Sequence, residues 1–207
     1  MVYVIGDSHA TFTFKDIEGI RLLARRGVTL KRMTYVEEEM LPNIMKRLRL
    51  TAKDFLIFCY GEVDIRCHIH PIITHRKKTT LDELLKDWSH RYASRLSLLD
   101  VKEAKVVIMS VVPPSSKERI RISEETKQKE IIVLPPAHGR DAERALYTKT
   151  INKYLKEECE QRGWIYFDVY SRYVDEKGMM IRGKGDGTVH IGDTTEVKKL
   201  LQEMKIL

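Results

Sequence analysis

The sequence predicts an α/β protein, a three-layer α/β/α sandwich on a parallel five-stranded sheet. Three observations predict it. Short apolar runs alternate with amphipathic stretches of helical period along the chain. Two runs, Phe55–Tyr60 and Lys105–Val112, are nearly continuous in apolar residues, as strands buried on both faces are. The first run, Val2–Ile5, goes straight into Gly6-Asp7-Ser8, which reads as a buried strand ending in a tight turn. Strands alternating with helices imply a parallel sheet covered on both faces.

The elements follow in order. After the first turn, Thr11–Asp16 is a plausible helix start. Ile17, Ile20, Leu23 and Ala24 recur at helical spacing, so Phe14–Arg26 reads as a helix stopped by Gly27. Val28–Tyr35 has some alternation and reads as the second strand. Glu37–Leu48 reads as a helix, with Pro42 in its first turn and Glu37, Glu38 and Glu39 at its positive end. Phe55–Tyr60 is the third strand. Thr80–Leu99 is a long helix with Leu84, Leu85, Trp88, Tyr92 and Leu96 inward, and Thr80 with Glu83 forms a capping box. Lys105–Val112 is the fourth strand, closed by Pro113-Pro114. Residues 115–138 break the repeat, and a hairpin or flap inserted beside the site is expected there. Asp141–Arg162 is the next helix, Trp164–Val169 the last strand, Lys184–Asp193 a Gly-rich loop and Thr194–Lys205 a closing helix.

Length and composition bound the rest. The 207 residues suit a single domain spanning 1–207, and 43% hydrophobic residues suffice for a core. No stretch approaches the apolar run of about 20 residues that a membrane span needs. The first residues carry neither a basic leader nor an apolar signal segment, so a cytoplasmic protein is expected. Three cysteines, Cys59, Cys67 and Cys159, argue against a disulfide framework and for a reducing compartment. A net charge of +7 can attract anions, but aromatics are only 8% and no basic run is interleaved with them. A nucleic-acid partner is therefore not expected. No G-x-G-x-x-G and no P-loop follow the first strand, which disfavours nucleotide binding. No cofactor is expected.

Three segments collect reactive groups: Gly6-Asp7-Ser8-His9, Gly61 to His70, and Asp186 to His190. In a doubly wound sheet, ligands bind beyond the carboxyl ends of the strands, where these segments can meet. A serine nucleophile needs a base and an acidic group to orient it, and Ser8, His190 and Asp186 supply those types. The G-x-S-x-G elbow of α/β-hydrolases is absent.

On these motifs the chain resembles the SGNH hydrolases, the GDSL esterase/lipase superfamily, along its whole length. Gly6-Asp7-Ser8 matches the family's first block, Gly61-Glu62-Val63-Asp64 resembles the third (G-x-N-D), and Asp186 to His190 resembles the last. Arg140–Arg162 and the strand after it resemble the penultimate helix and strand. The resemblance implies a flavodoxin-like SGNH fold, Ser8 as nucleophile with its backbone N–H in the oxyanion hole, His190 as base and Asp186 as its orienter. Gly61, Asp64, Arg66, His68, Asp7 and His9 are expected around the substrate.

The chain departs from the family in three places. The last block is usually D-x-x-H, whereas three residues separate Asp186 from His190. Val63 stands where the family has an oxyanion asparagine, and loss of such a donor costs on the order of 3 kcal/mol. Arg66 or His68 is the expected replacement, Arg66 with a fixed charge that favours an anionic intermediate or substrate. No second-block glycine follows the predicted second strand, since Gly27 precedes it. In an extended chain Asp64, Arg66, His68 and His70 share one face, a polar wall in which Asp64 holds Arg66 or His9. A metal site from Cys67, His68, His70 and His75 has suitable ligand types but no known zinc spacing, so no metal is expected.

The resulting expectation is an esterase acting on short acyl esters, O-acetyl groups on carbohydrate among them. An O-acyltransferase of the same fold, or a non-catalytic domain binding an anionic glycan, is the alternative. The partner is then a small-molecule or glycan ester.

Overall fold

The structure, a computed structural model, describes residues 1–25, 28–35, 40–75, 79–118 and 137–207. Five strands form one parallel sheet: β1 (Val2–Gly6), β2 (Ile20–Ala24), β3 (Phe55–Cys59), β4 (Lys105–Met109) and β5 (Ile165–Phe167), in the order β2-β1-β3-β4-β5. Val4 pairs with Leu22 on one side and Ile57 on the other, and Ile57 pairs with Val107. The chain leaves β1 toward β2 and then crosses back to β3. The switch point between β1 and β3 is where such sheets open a crevice for ligands.

Strand alternation feeds two cores. Tyr3, Ile5, Leu56, Phe58 and Ile108 face one layer, and Val2, Val4, Ile57, Val107 and Met109 face the other. The first layer holds α2 (Leu30–Tyr35), α3 (Met40–Arg47), α6 (Leu81–Ser97) and α7 (Asp141–Arg162). Helices α6 and α7 pack together there, with Trp88, Tyr92, Ile151 and Leu155 buried in the same core. The second layer holds α1 (Ser8–Phe14), α8 (Tyr170–Tyr173) and α9 (Thr195–Glu203), through Phe14, Tyr173, Val197 and Leu201. The remaining helices, α4 (Glu62–Cys67) and α5 (Ile69–His75), follow β3 directly. Among the described residues no helix is long and apolar enough to cross a membrane.

The parallel five-stranded sheet and its flanking helices are as the sequence predicts. The α6 capping box is present, with Thr80 Oγ1 accepting from Glu83 N at 3.2 Å and Glu83 Oε2 accepting from Thr80 N at 2.9 Å. Helix α3 carries Pro42 in its first turn, as expected.

The second strand is a correction. Phe14–Arg26 is not a helix, because α1 ends at Phe14 and β2 begins at Ile20. Gly19 between them sits at φ +83, a left-handed value that interrupts a helix and that glycine adopts without strain. The same apolar residues then alternate. Ile20 and Leu22 pack on one core, Leu23 on the other, and Arg21 stays exposed. The predicted strand over Val28–Tyr35 is instead the helix α2. Its cap comes from afar: Asp64 accepts from Leu30 N at 2.7 Å and from Lys31 N at 3.1 Å. Thr29 adds a local cap through its Oγ1, which accepts from Arg32 N at 3.1 Å. Helix α8 has no counterpart in the sequence reading. Most of the expected flap, residues 119–136, lies outside the described residues, as do Gly27 and Glu37, Glu38 and Glu39. The segment's flanks are tied down, Lys117 N to Asp141 Oδ1 at 3.1 Å and His138 N to Arg66 O at 2.8 Å.

Candidate active site

Ser8 owes its position to the end of β1. Asp7 caps α1, its Oδ1 accepting from His9 N at 2.8 Å. Ser8 thereby becomes the first residue of the helix, where a backbone N–H has no partner within the helix. The side chain stands at the switch point, partly exposed.

The loop from Gly185 to Ile191 delivers the next two groups. An antiparallel bridge joins its ends, and Asp186 N donates to His190 O at 3.0 Å. The closure needs Gly192, where a Cβ would lie 2.7 Å from Asp186 N. Within the loop Asp186 Oδ1 accepts from Thr188 N at 2.8 Å, from Thr188 Oγ1 at 2.6 Å and from His190 N at 3.3 Å. Asp186 Oδ2 lies 3.2 Å from His190 Nδ1, Thr188 Oγ1 also lies 3.2 Å from that nitrogen, and His190 Nε2 lies 3.2 Å from Ser8 Oγ. With the proton on Nδ1, the imidazole donates to Asp186 and accepts from the Ser8 hydroxyl, the order a nucleophile–base–orienter chain requires. With three residues between them, Asp186 and His190 still meet, because the tight turn folds back and Thr188 bonds to the carboxylate inside it.

Electrostatics match these contacts. Burial lowers the pKa of His190; its hydrogen bond to Asp186 raises it and the nearby His9 lowers it, and the net direction is down. Burial would raise the Asp186 carboxyl, but hydrogen bonds from His190 and Thr188 hold it well below the usual range. The pair is therefore a neutral base beside an ionised carboxylate at neutral pH.

A second polar cluster lies behind the first. His9 Nε2 is 3.2 Å from Glu62 Oε2 and 3.3 Å from Val189 O, and His9 Nδ1 is 3.4 Å from Asp7 Oδ1. Glu62 Oε1 accepts from Arg66 Nε at 3.0 Å, and Oε2 accepts from Arg66 Nη2 at 3.1 Å. His9, Glu62 and Arg66 are each 3% exposed. Burial pulls the His9 pKa down, but the Glu62 and Asp7 carboxylates more than offset it, and the result is raised. Burial would raise Glu62, yet His9 and Arg66 hold it below the usual carboxylate range. Phe12 stacks on the His190 ring with centroids 4.0 Å apart, and the His9 ring lies tilted to it with centroids 4.6 Å apart.

The structure brings Ser8, His190 and Asp186 together, with Asp7 and His9 adjoining. It arranges the segment after β3 differently from expectation. Residues 62–67 are the helix α4, not an extended wall, so Asp64 and His68 share a face at i,i+4 and Glu62 and Arg66 share another. Asp64, fully buried, accepts from Leu30 N, Lys31 N and His68 Nδ1, the last at 2.9 Å. The acceptor that holds Arg66 and His9 is therefore Glu62, not Asp64. Gly61 is buried at the start of α4, and Val63 follows on its first turn. His70 Nδ1 lies 3.0 Å from Tyr147 Oη. Among the described residues no three His, Cys, Asp or Glu side chains gather where a metal ion could be held.

Glu62 and Thr188 are the residues that sequence reasoning missed. Glu62 and Arg66 have the spacing of a helical ion pair, a signal hidden while the segment was read as extended. Moving the second strand to Ile20–Ala24 also changes the place of Gly27. It now follows the second strand in sequence, although Gly27 itself lies outside the described residues.

No protein-family model matches the chain, and no curated protein matches it in sequence. Solved structures do match in fold. A candidate acylhydrolase from Bacteroides fragilis superimposes with TM-score 0.57 at 15% identity, over 98% of this chain and 85% of that one. A GDSL-like lipase from Bacteroides thetaiotaomicron gives 0.53 at 15% identity, over 100% and 88%. The OSK domain of Drosophila Oskar gives 0.54 at 14% identity, over 98% and 86%. At such identities the likeness is one of fold, and the fold is that of the SGNH hydrolases.

Proposed function

We propose that this SGNH-type fold carries a serine ester hydrolase, with Ser8 as nucleophile, His190 as general base and acid, and Asp186 as the orienter of His190. The observation that supports it best is the continuous chain Ser8 Oγ–His190 Nε2 and His190 Nδ1–Asp186 Oδ2, each link 3.2 Å, at the switch point of the sheet. Solved neighbours that include a GDSL-like lipase and a candidate acylhydrolase agree with that reading.

Ser8 Oγ attacks the ester carbonyl carbon while its proton passes to His190 Nε2. The carbonyl π electrons become an oxyanion, which the Ser8 backbone N–H faces from the first turn of α1. Collapse re-forms the C=O bond and breaks the bond to the alcohol oxygen, which takes the proton from His190 Nε2. Water then attacks the acyl-Ser8 carbonyl by the same route, releasing a carboxylic acid and restoring the hydroxyl. Asp186 keeps the Nδ1–H tautomer through both steps. Glu62 occupies the edge of the Arg66 guanidinium, so the oxyanion role expected of Arg66 in place of the family's asparagine falls to backbone donors. Short-chain esters, acetyl esters of sugars first among them, are the substrates to try.

The test is intact-protein mass after exposure to an organofluorophosphonate, with hydrolysis of p-nitrophenyl esters from acetate to octanoate alongside. One adduct on the wild type, lost in Ser8→Ala and His190→Ala, supports the proposal, and the chain-length series sets the acyl size. A folded wild type that takes no adduct and cleaves no ester overturns it.

A further inference from the structure

The catalytic chain accounts for Ser8, Thr188, Asp186 and His190, but not for the histidine next to the nucleophile. We propose that His9, set between Glu62 and Asp7, is a positioning residue for His190: it ties the loop of the base to the helix of the nucleophile and, when it carries its proton, sets a positive charge beside that base. The inference rests on the role proposed above for His190.

The tie is geometric. His9 Nε2 is hydrogen-bonded to Val189 O at 3.3 Å and lies at the ion-pair distance of 3.2 Å from Glu62 Oε2. Val189 immediately precedes His190, and His9 immediately follows Ser8, so one buried imidazole links the two halves of the reactive pair. Glu62 is itself gripped by Arg66 through Nε and Nη2. On the other side Asp7 Oδ1, which accepts from the His9 backbone N–H, lies at the ion-pair distance of 3.4 Å from His9 Nδ1, a buried nitrogen with no hydrogen-bond partner among the described residues. The charges of Asp7, Glu62, His9 and Arg66 cancel in pairs when His9 carries its proton. A neutral His9 would leave two buried carboxylates facing one guanidinium.

The electrostatic effect follows from the rings' proximity, 4.6 Å between centroids. The groups facing His190 are Ser8 and His9 from α1, Asp186 and Thr188 from its own loop, and Glu62 from α4, with the Phe12 ring stacked on it. Of these, His9 disfavours a second positive charge on His190, whereas Asp186 and Glu62 favour it. His9 thus keeps His190 unprotonated to lower pH. It also makes the imidazolium formed during attack a readier donor to the leaving alkoxide. The disadvantage falls on proton uptake from Ser8, which the Asp186 carboxylate offsets.

The experiment is a pH titration of the histidine ring nitrogens by 15N NMR on the full chain, for wild type, His9→Gln, and His9→Gln with Glu62→Gln. Peaks of His190 are identified by their loss in His190→Gln. In the wild type His9 should be doubly protonated across the pH range in which His190 titrates. In His9→Gln, which keeps a donor toward Val189 O but has no charge, the midpoint of His190 should rise by about one pH unit, a tenfold larger protonated fraction above it. Adding Glu62→Gln should bring the midpoint part of the way back, because the anion that also raised it is gone. The acid limb of kcat/KM should move with the midpoint. A neutral His9 in the wild type overturns the proposal, and that reading needs no variant to fold. An unmoved His190 midpoint in a folded His9→Gln overturns it too. The titration reads no hydrolysis, so a tuned His190 in a protein that cleaves no ester would sink the hydrolase reading and leave this one standing.

Discussion

Thr188 is where a small side chain has the largest leverage. Its hydroxyl donates to Asp186 Oδ1 at 2.6 Å and lies 3.2 Å from His190 Nδ1, so it braces both members of the pair at once. Thr188→Val keeps the shape and removes the hydroxyl. A hydrogen bond to a charged group contributes about 1.5–3 kcal/mol, so kcat/KM on a p-nitrophenyl ester should fall about 10- to 100-fold with KM little changed. Thr188→Ser should recover most of the loss. Equal rates in Thr188→Val and wild type would show that Asp186 and the loop backbone suffice. Asp186→Asn should be more severe, on the order of 10^4-fold in kcat, because an amide at Oδ2 can donate to Nδ1 and select the wrong tautomer. The residue types of this site were legible in the sequence: a serine at a strand tip, and an aspartate and a histidine in a Gly-rich loop. The part played by Thr188 was not, because it depends on how the five-residue turn folds back on itself.

At the scale of elements, α4 does two jobs with its two faces. One face carries Glu62 and Arg66 toward His9, and the other carries Asp64 to the start of α2. Asp64 accepts from two backbone N–H groups 34 and 33 residues away in sequence, at full burial. Asp64→Ala should therefore destabilise the protein by about 2–4 kcal/mol, since it leaves orphaned donors at a helix end as well as an unpaired His68. The urea midpoint should drop while the slope stays constant. An unchanged midpoint would mean that Thr29 alone caps α2. The same contact explains why Val28–Tyr35 reads as a strand from sequence. Its local pattern alternates, and the interaction that makes it helical comes from an aspartate beyond the next strand. Helix α6 is the converse case: its apolar stripe and its capping box are both local, and it lies where the sequence puts it.

For the whole molecule, the depressed carboxyls set the acid limit of stability. Glu62 and Asp186 have folded-state pKa values below their ordinary ones. Such groups contribute stability that is complete above their unfolded values, about pH 4, and that is lost as pH falls through the folded ones. His190, lowered as well, adds a loss as pH falls below about 6.5, whereas His9, raised, contributes most below that value and loses its share as pH rises through its folded value. The thermal midpoint should thus decline steeply below about pH 4, and the decline should be shallower in Glu62→Gln. Identical slopes in scanning calorimetry would remove Glu62 from the account.

The sequence by itself determined the α/β class, the parallel sheet, the serine at the tip of β1 and the Asp186–His190 loop. Those features rest on apolar runs, strand alternation and glycine placement, which act over a few residues and survive any arrangement of the rest. Tertiary structure alone decided that Ile20–Ala24 would be the edge strand, because the free edge of β1 outweighs a weak helical period. It also decided that Asp64 would cap a helix and that Glu62 would meet His9. Each joins groups brought close only by the crossing of the chain at the switch point, where contact between distant residues outweighs local preference.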